Sequence, residues 1–496
     1  MRVSSRWALR LLSPCVFLLP AACGRVAWAQ GSAAGRDAEV EELRQAVREL
    51  AQRVDVLEQQ LRLQQAQRTA TPPESAVATQ ATTALAESIS TVGKGGEVKT
   101  MQVAADHPTE TVNQQSQPVP WQPPNGATLN YLCDGYYGYN FNHPLGRVNY
   151  LRAYDVLSNA FSINQADVVF DLDPDIGAGR RYGVRLDLQF GQATETLQGN
   201  SVNEPRPEIY RNIFQVYGTY VFPLGRGLTV DFGKWASSLG IEGNYTKDQM
   251  NYTRSYWFYF LPFYHAGIRT NYKVNDKLAL NYWIVNGTQQ SEPTNSYKDE
   301  LFGVVLNPKK NIVWTTNYYI GQDHPDSKPG TNCVTPVQPG LCLTPITPAP
   351  NGKTHIFDSY VTWNPAKRWS FALEGDYEVE REWVNAGPGM SSAPSHVDGG
   401  AAYARYQWKP KMAFAARTEY MSDRGGLFSG TTQALKEFTA TYEYNVGEGL
   451  QTKVEFRRDW TNRPFFLTDK PGVLSEEQTT ATVGLVWWYG GKQGAW

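Results

Sequence analysis

Apolar and polar side chains alternate residue by residue through long stretches of this chain, and that pattern leaves few folds open. In GVRLDLQFG (183–191), Val184, Leu186, Leu188 and Phe190 fall on one parity, and Arg185, Asp187 and Gln189 on the other. Successive side chains of a strand point to opposite faces, so this stretch has one greasy face and one charged face. The pattern recurs in ADVVFDLD (166–173), FQVYGTYVF (214–222), KLALNYWIVNG (277–287), NIVWTTNYYIG (311–321), KMAFAARTEYMSD (411–423) and LQTKVEFRRDW (450–460). Many runs reach ten residues, against ~5–6 in soluble sheets and ~9–11 for a tilted strand crossing a bilayer.

The connections differ at the two ends of these runs. FPLGRG, KVNDK, NPKKN, NPAKR, WKPK and NVGEG are tight, whereas 191–207, 236–262, 322–352, 384–398 and 461–477 are long. Short turns on one side and long loops on the other are the asymmetry of an outer-membrane barrel. Aromatic residues make up 13% of the chain, and many stand near run ends: Tyr220, Phe222, Trp235, Trp363, Trp369, Trp408, Trp460, Trp487 and Tyr489. Interfacial aromatic girdles explain that placement, where a β-sandwich core would favour Val, Ile and Leu. A propeller would show a repeat of about 40–50 residues, and none is present. The fold expected is all-β: a transmembrane antiparallel barrel over 127–490. At roughly 22 residues per strand it has ~16 strands, with 14 or 18 open.

The N-terminal quarter is built differently. Arg2, Arg6 and Arg10, then LLSPCVFLLPAAC, then Ala27-Trp28-Ala29 read as a signal peptide over 1–29, cleaved before Gln30. Lipidation at Cys23 is the rival processing route. Over 39–66, Val40, Leu43, Val47, Leu50, Val54, Leu57 and Leu61 form an unbroken heptad seam. About three heptads support a short coiled coil; the alternative is one amphipathic helix docked on a neighbour. Residues 67–126 are rich in Ala, Thr, Gln, Ser and Pro and read as a flexible linker. After signal removal three cysteines remain. Cys333 and Cys342, nine apart in CVTPVQPGLC, are expected to pair, and Cys133 to be a small buried or lipid-facing residue.

With the apolar parity facing lipid, the other parity faces the barrel interior. That places Arg185, Asp187, Asp167, Asp171, Arg269, Lys273, Glu374, Asp376, Glu378, Arg405, Arg417, Glu419, Lys453, Glu455 and Arg457 inside as candidate pore-lining groups. A barrel this wide is not filled by wall side chains, so water is expected in the middle and a constriction needs an inward loop. Segment 236–262 is the leading candidate and 322–352 the second. The six histidines sit in no nucleophile elbow, H-E-x-x-H pair or Cys/His metal spacing, so no catalytic residue, cofactor or metal is expected. A net charge of −2 gives no basic field for nucleic acid. The expected partners are outer-membrane lipid, small hydrophilic solutes, the barrel-assembly machinery that reads the last strand, and further copies of the chain. Seam chemistry leans toward two strands.

GKWASSLGIEG (233–243) and NYTRSYWFYFLPFYHAGIRTNYKVNDKLALNYWIVNGT (251–288) resemble the beta-barrel porin-2, OmpL-like family, as do ALEGDYE (372–378), AARTEYMSD (415–423) and KVEFRRDW (453–460). The resemblance covers about 127–490. It implies an outer-membrane porin-like barrel of undefined substrate and carries over no catalytic site. Similar porins with periplasmic coiled coils are often trimers. The function expected is passive diffusion of small hydrophilic solutes or ions; a structural or adhesive barrel without transport is the alternative.

Overall fold

The computed structural model describes residues 126–198, 204, 206–329, 343–345, 352–381 and 394–490. The signal peptide, the heptad seam, nearly all of the linker and both Cys333 and Cys342 lie outside the described residues. The strands are β1 (Thr128–Asn140), β2 (Ala160–Leu172), β3 (Tyr182–Phe190), β4 (Ile213–Phe222), β5 (Leu228–Ala236), β6 (Tyr264–Asn275), β7 (Leu278–Val285), β8 (Asp299–Lys309), β9 (Ile312–Gly321) and β10 (Ser327–Pro329). They continue with β11 (Leu343–Pro345), β12 (Thr354–Ala366), β13 (Trp369–Glu380), β14 (Ser395–Lys409), β15 (Met412–Arg424), β16 (Gln433–Gly447), β17 (Leu450–Thr461), β18 (Phe466–Leu467), β19 (Leu474–Ser475) and β20 (Glu477–Tyr489).

Sixteen of them close one barrel in the order β1 to β9, then β12 to β17, then β20, which pairs antiparallel with β1. β10–β11 and β18–β19 are small hairpins within loops. Each barrel strand pairs with its neighbour in sequence, the up-and-down solution that leaves no open edge. Connections 276–277, 310–311, 367–368, 410–411 and 448–449 are two-residue turns at one end. Segments 141–159, 191–212, 237–263 and 322–353 are long and emerge at the other.

The opening alternation resolves as its parity requires. Val184 and Phe190 are exposed on the outer face, and Arg185, Asp187 and Gln189 are buried on the inner one. Phe161, Phe232, Leu373 and Leu485 add to an apolar outer surface, with Trp363, Trp369, Trp408, Trp487 and Tyr489 at the turn end. Such an apolar surface is stable in hydrocarbon, with the exposed Arg458–Glu477 pair at its loop-side margin. No helix among the described residues is long and apolar enough to cross a membrane. Cys133 is a free thiol exposed on this outer face.

One expectation changes. Trp235 is not a girdle residue: it shares inward parity with Asp231, is fully buried, and packs edge-on against Trp283 at 5.7 Å. The first strand, TLNYLCDGYYGYN, is disguised in sequence because Leu132 and Tyr136 point inward while Cys133 and Gly135 take the outer parity.

Candidate functional site

Segment 237–263, between β5 and β6, folds into the lumen rather than over it. Its backbone cannot pair with a strand there, so its amides need partners from the wall. On entry, Gly240 N donates to Asp358 Oδ1 of β12 at 3.1 Å, and Ile241 N donates to Glu374 Oε1 of β13 at 2.8 Å. Gly240 has φ +80°, and a Cβ there would stand 3.2 Å from Glu374 Oε1, so the turn suits glycine alone.

The segment then crosses to the opposite wall. Gln165 Nε2 of β2 donates to the Asn244 carbonyl at 2.8 Å, and Thr246 Oγ1 donates to Asp134 Oδ2 of β1 at 2.5 Å. The Tyr245 hydroxyl bonds Asp187 of β3 and accepts from Gln215 Nε2 of β4 at 2.9 Å. Lys453 Nζ of β17 donates to the Gln249 carbonyl at 2.5 Å. Tyr252 N and Thr253 N both donate to the Glu455 carboxylate, at 2.6 and 3.0 Å. Asn251 Nδ2 reaches Thr441 Oγ1 of β16 at 2.8 Å. The short helix Tyr256–Phe260 closes the segment, its first turn capped by Ser255 Oγ, which accepts from Phe258 N at 2.8 Å.

Arginines fasten this second half. Arg417 Nη1 on β15 lies 2.7 Å from Glu242 Oε1 and donates to the Thr253 carbonyl at 2.7 Å; its Nε faces Glu419 and Glu437 at 3.1 and 3.0 Å. Arg457 Nη1 donates to the Arg254 carbonyl at 2.5 Å, and its Nη2 pairs with Asp459 Oδ1 at 2.8 Å. Hydrogen bonds with an ionised partner are about twice as strong as neutral ones. Tyr252 OH donates to Asp134 and Tyr256 OH to Asp459, each at 2.7 Å. Burial first, and those carboxylates second, push both phenols above their ordinary range, so both stay protonated donors.

The rest of the lumen is packed. Trp235, Trp257, Trp283, Val285, Leu301 and Tyr319 form one apolar cluster on the β5–β9 side. Arg269 faces Asp231 Oδ2 at 2.6 Å, its guanidinium 5.0 Å over the Trp235 ring. From loop 141–159, Arg152 reaches Asp459 Oδ2 at 2.6 Å. The water expected in the middle of the barrel is thus replaced, at this level, by the loop chain itself.

Every residue expected on the inner face lies on it. Arg185 sits 3.7 Å from Asp171 and 3.4 Å from Asp187. Asp167, Glu374, Asp376, Glu378, Arg417, Glu419, Lys453, Glu455 and Arg457 are buried. Arg405, paired with Glu443 Oε1 at 2.5 Å, is partly exposed, and Lys273 is exposed at the turn end of β6. Sequence reading of the inner face omitted Asp134, Asp358, Glu437 and Asp459. Parity along β1, β12, β16 and β17 places all four on it.

A closed sixteen-strand barrel with an apolar outer belt, a charged interior and a loop folded inward is the architecture of an outer-membrane porin. The pattern of the family described as "Putative beta-barrel porin-2, OmpL-like" matches residues 127–487, and this chain belongs to that family. Comparison with curated proteins gives no match. Among solved structures, the chain is similar to OmpT, an outer membrane protein of Vibrio cholerae, at 10% identity and TM-score 0.44, over 73% of this chain and 97% of that one. It is similar to an anion-selective porin from Comamonas acidovorans at 7% identity and TM-score 0.46, over 73% and 99%. A Salmonella typhi OmpF complex with daunomycin aligns at 11% identity and TM-score 0.42, over 73% and 97%.

Proposed function

We propose that this chain is a passive outer-membrane channel for small hydrophilic solutes or ions, constricted by segment 237–263. The observation that carries the reading is the anchoring of that segment from β1–β4 on one side and β12–β17 on the other. A barrel that only seats itself in lipid has no need of such a cross-strap, whereas a sieve needs a rigid one. Arg405 and Lys273, which keep solvent exposure, meet solutes directly. The buried charges, Asp167, Asp171, Arg185, Asp187, Arg269, Glu374, Asp376, Arg417, Glu419, Lys453, Glu455 and Arg457, act through the strap and the wall it rests on. The heptad seam over 39–66 is read as a periplasmic coiled coil that joins protomers or contacts the cell wall.

One observation favours the second reading, a structural or adhesive barrel. Leu132, Val169, Trp283 and Val486 are fully or almost fully buried on the inner wall, which leaves little open bore. Proteoliposomes in graded sugar solutions separate the two. A channel swells at rates that fall steeply with sugar size; liposomes with correctly folded protein that do not swell even in the smallest sugar support the structural barrel.

A further inference from the structure

Three carboxylates converge inside the barrel without a counter-charge. Asp358 and Asp376 are direct cross-strand partners on β12 and β13, and Glu374 lies two residues from Asp376 on the same face. One oxygen from each lies within 4.8 Å of the other two, and all three side chains are buried. Among the described residues none of the three is in an ion pair. The oxygens of Asp358 accept from Gly240 N and from Asn317 Nδ2, the latter at 2.7 Å. Those of Glu374 accept from Ile241 N and from Tyr403 OH, the latter at 3.0 Å. Asp376 is different: it is only 5% exposed, no N–H or hydroxyl donor among the described residues reaches either of its oxygens, and its polar neighbour is the Asp358 carboxyl across the strand pair.

We propose that Asp358, Glu374 and Asp376 bind a Ca²⁺ ion that locks the entry of the inward segment to the barrel wall. Buried carboxyls in contact are neutralised either by a shared proton or by a cation, and the groups around these three supply amide and hydroxyl donors that leave room for an ion among their oxygens. The all-oxygen donor set selects a hard ion. Ca²⁺–O bonds of ~2.4 Å let two ligands of one ion lie up to ~4.8 Å apart, whereas Mg²⁺ at ~2.1 Å demands a tighter set. The same carboxylates hold Gly240 N and Ile241 N, so an ion bound there fixes the point at which the strap leaves the wall. This inference goes beyond the channel reading and stands whether or not the barrel conducts.

The test uses the full chain refolded in detergent free of lipopolysaccharide and stripped with EDTA. Isothermal titration with CaCl₂ should show saturable one-site binding, and Ca²⁺ should raise the unfolding temperature. Asp376→Asn should weaken binding at least tenfold and abolish the thermal shift; Glu374→Gln serves the same purpose if that variant does not fold. Mg²⁺ should bind more weakly than Ca²⁺. Absence of Ca²⁺ binding by the wild type, or undiminished binding by the folded variant, overturns the proposal.

Discussion

Arg417 Nη1 on β15 and Glu242 Oε1 in the inward segment stand 2.7 Å apart, and the Arg417 side chain has no solvent exposure. One guanidinium thereby joins a loop carboxylate to Glu419 and Glu437 of the wall. Arg417→Ala removes the shared guanidinium from Glu242, Glu419 and Glu437, of which only Glu437 keeps a cation, Arg457 at 3.8 Å, a loss of about 3–5 kcal/mol for a buried pair broken on one side. The unfolding temperature in detergent should fall clearly, and Arg417→Lys should recover only part of it, because an ammonium lacks the planar fork. An unchanged unfolding temperature in Arg417→Ala would show that the strap is held elsewhere.

Gly484 on β20 makes room for Tyr252. A Cβ at Gly484 would stand 2.2 Å from carbons of the Tyr252 ring, a rigid group that cannot fold away. Gly484→Val should displace the ring, break the Tyr252–Asp134 hydrogen bond and cost about 1–3 kcal/mol as overpacking does. Limited proteolysis should then cut within 237–263 at a protease level that spares the wild type; the same fragment pattern in both would contradict this packing.

Strands were the legible part of the sequence, because their period is two and one face must meet lipid. The inward parity of Arg185, Arg269, Glu374 and Arg457 followed from that rule, while the barrel's length at roughly 22 residues per strand gave ~16 strands with 14 or 18 open. β1 was obscured by inward Leu132 and outward Gly135. Trp235 stands at a strand end like a girdle aromatic, but it shares the inward parity of Asp231 and is buried. The acidic trio was invisible for a different reason: its members sit on two strands, and nothing local in sequence sets the register that brings Asp358 beside Asp376. The strap was signalled by the length of its loop. Its partners were not, since they come from strands far apart in the chain.

The heptad seam from Val40 to Leu61 is proposed to associate protomers. Deleting residues 39–65 should shift the native-gel species to smaller oligomers, while transport per barrel survives. Oligomers of unchanged size would assign protomer contacts to the barrel instead.

Cys333 and Cys342 are proposed to form a disulfide in the 322–353 loop, leaving Cys133 as the free thiol of the mature chain. Alkylation of unfolded, unreduced protein followed by peptide mapping should modify Cys133 alone, and prior reduction should add the other two. Modification of all three without reduction would exclude the bridge.

Segment 237–263 is proposed as the constriction of a conducting pore, and single-channel recording in planar bilayers checks this. The intact protein should give small, stepwise conductances, and a variant in which residues 240–261 are replaced by a short Gly-Ser turn should give steps several-fold larger. Correctly folded barrels that stay electrically silent in both forms would rule out the channel and leave the chain a structural barrel of the outer membrane.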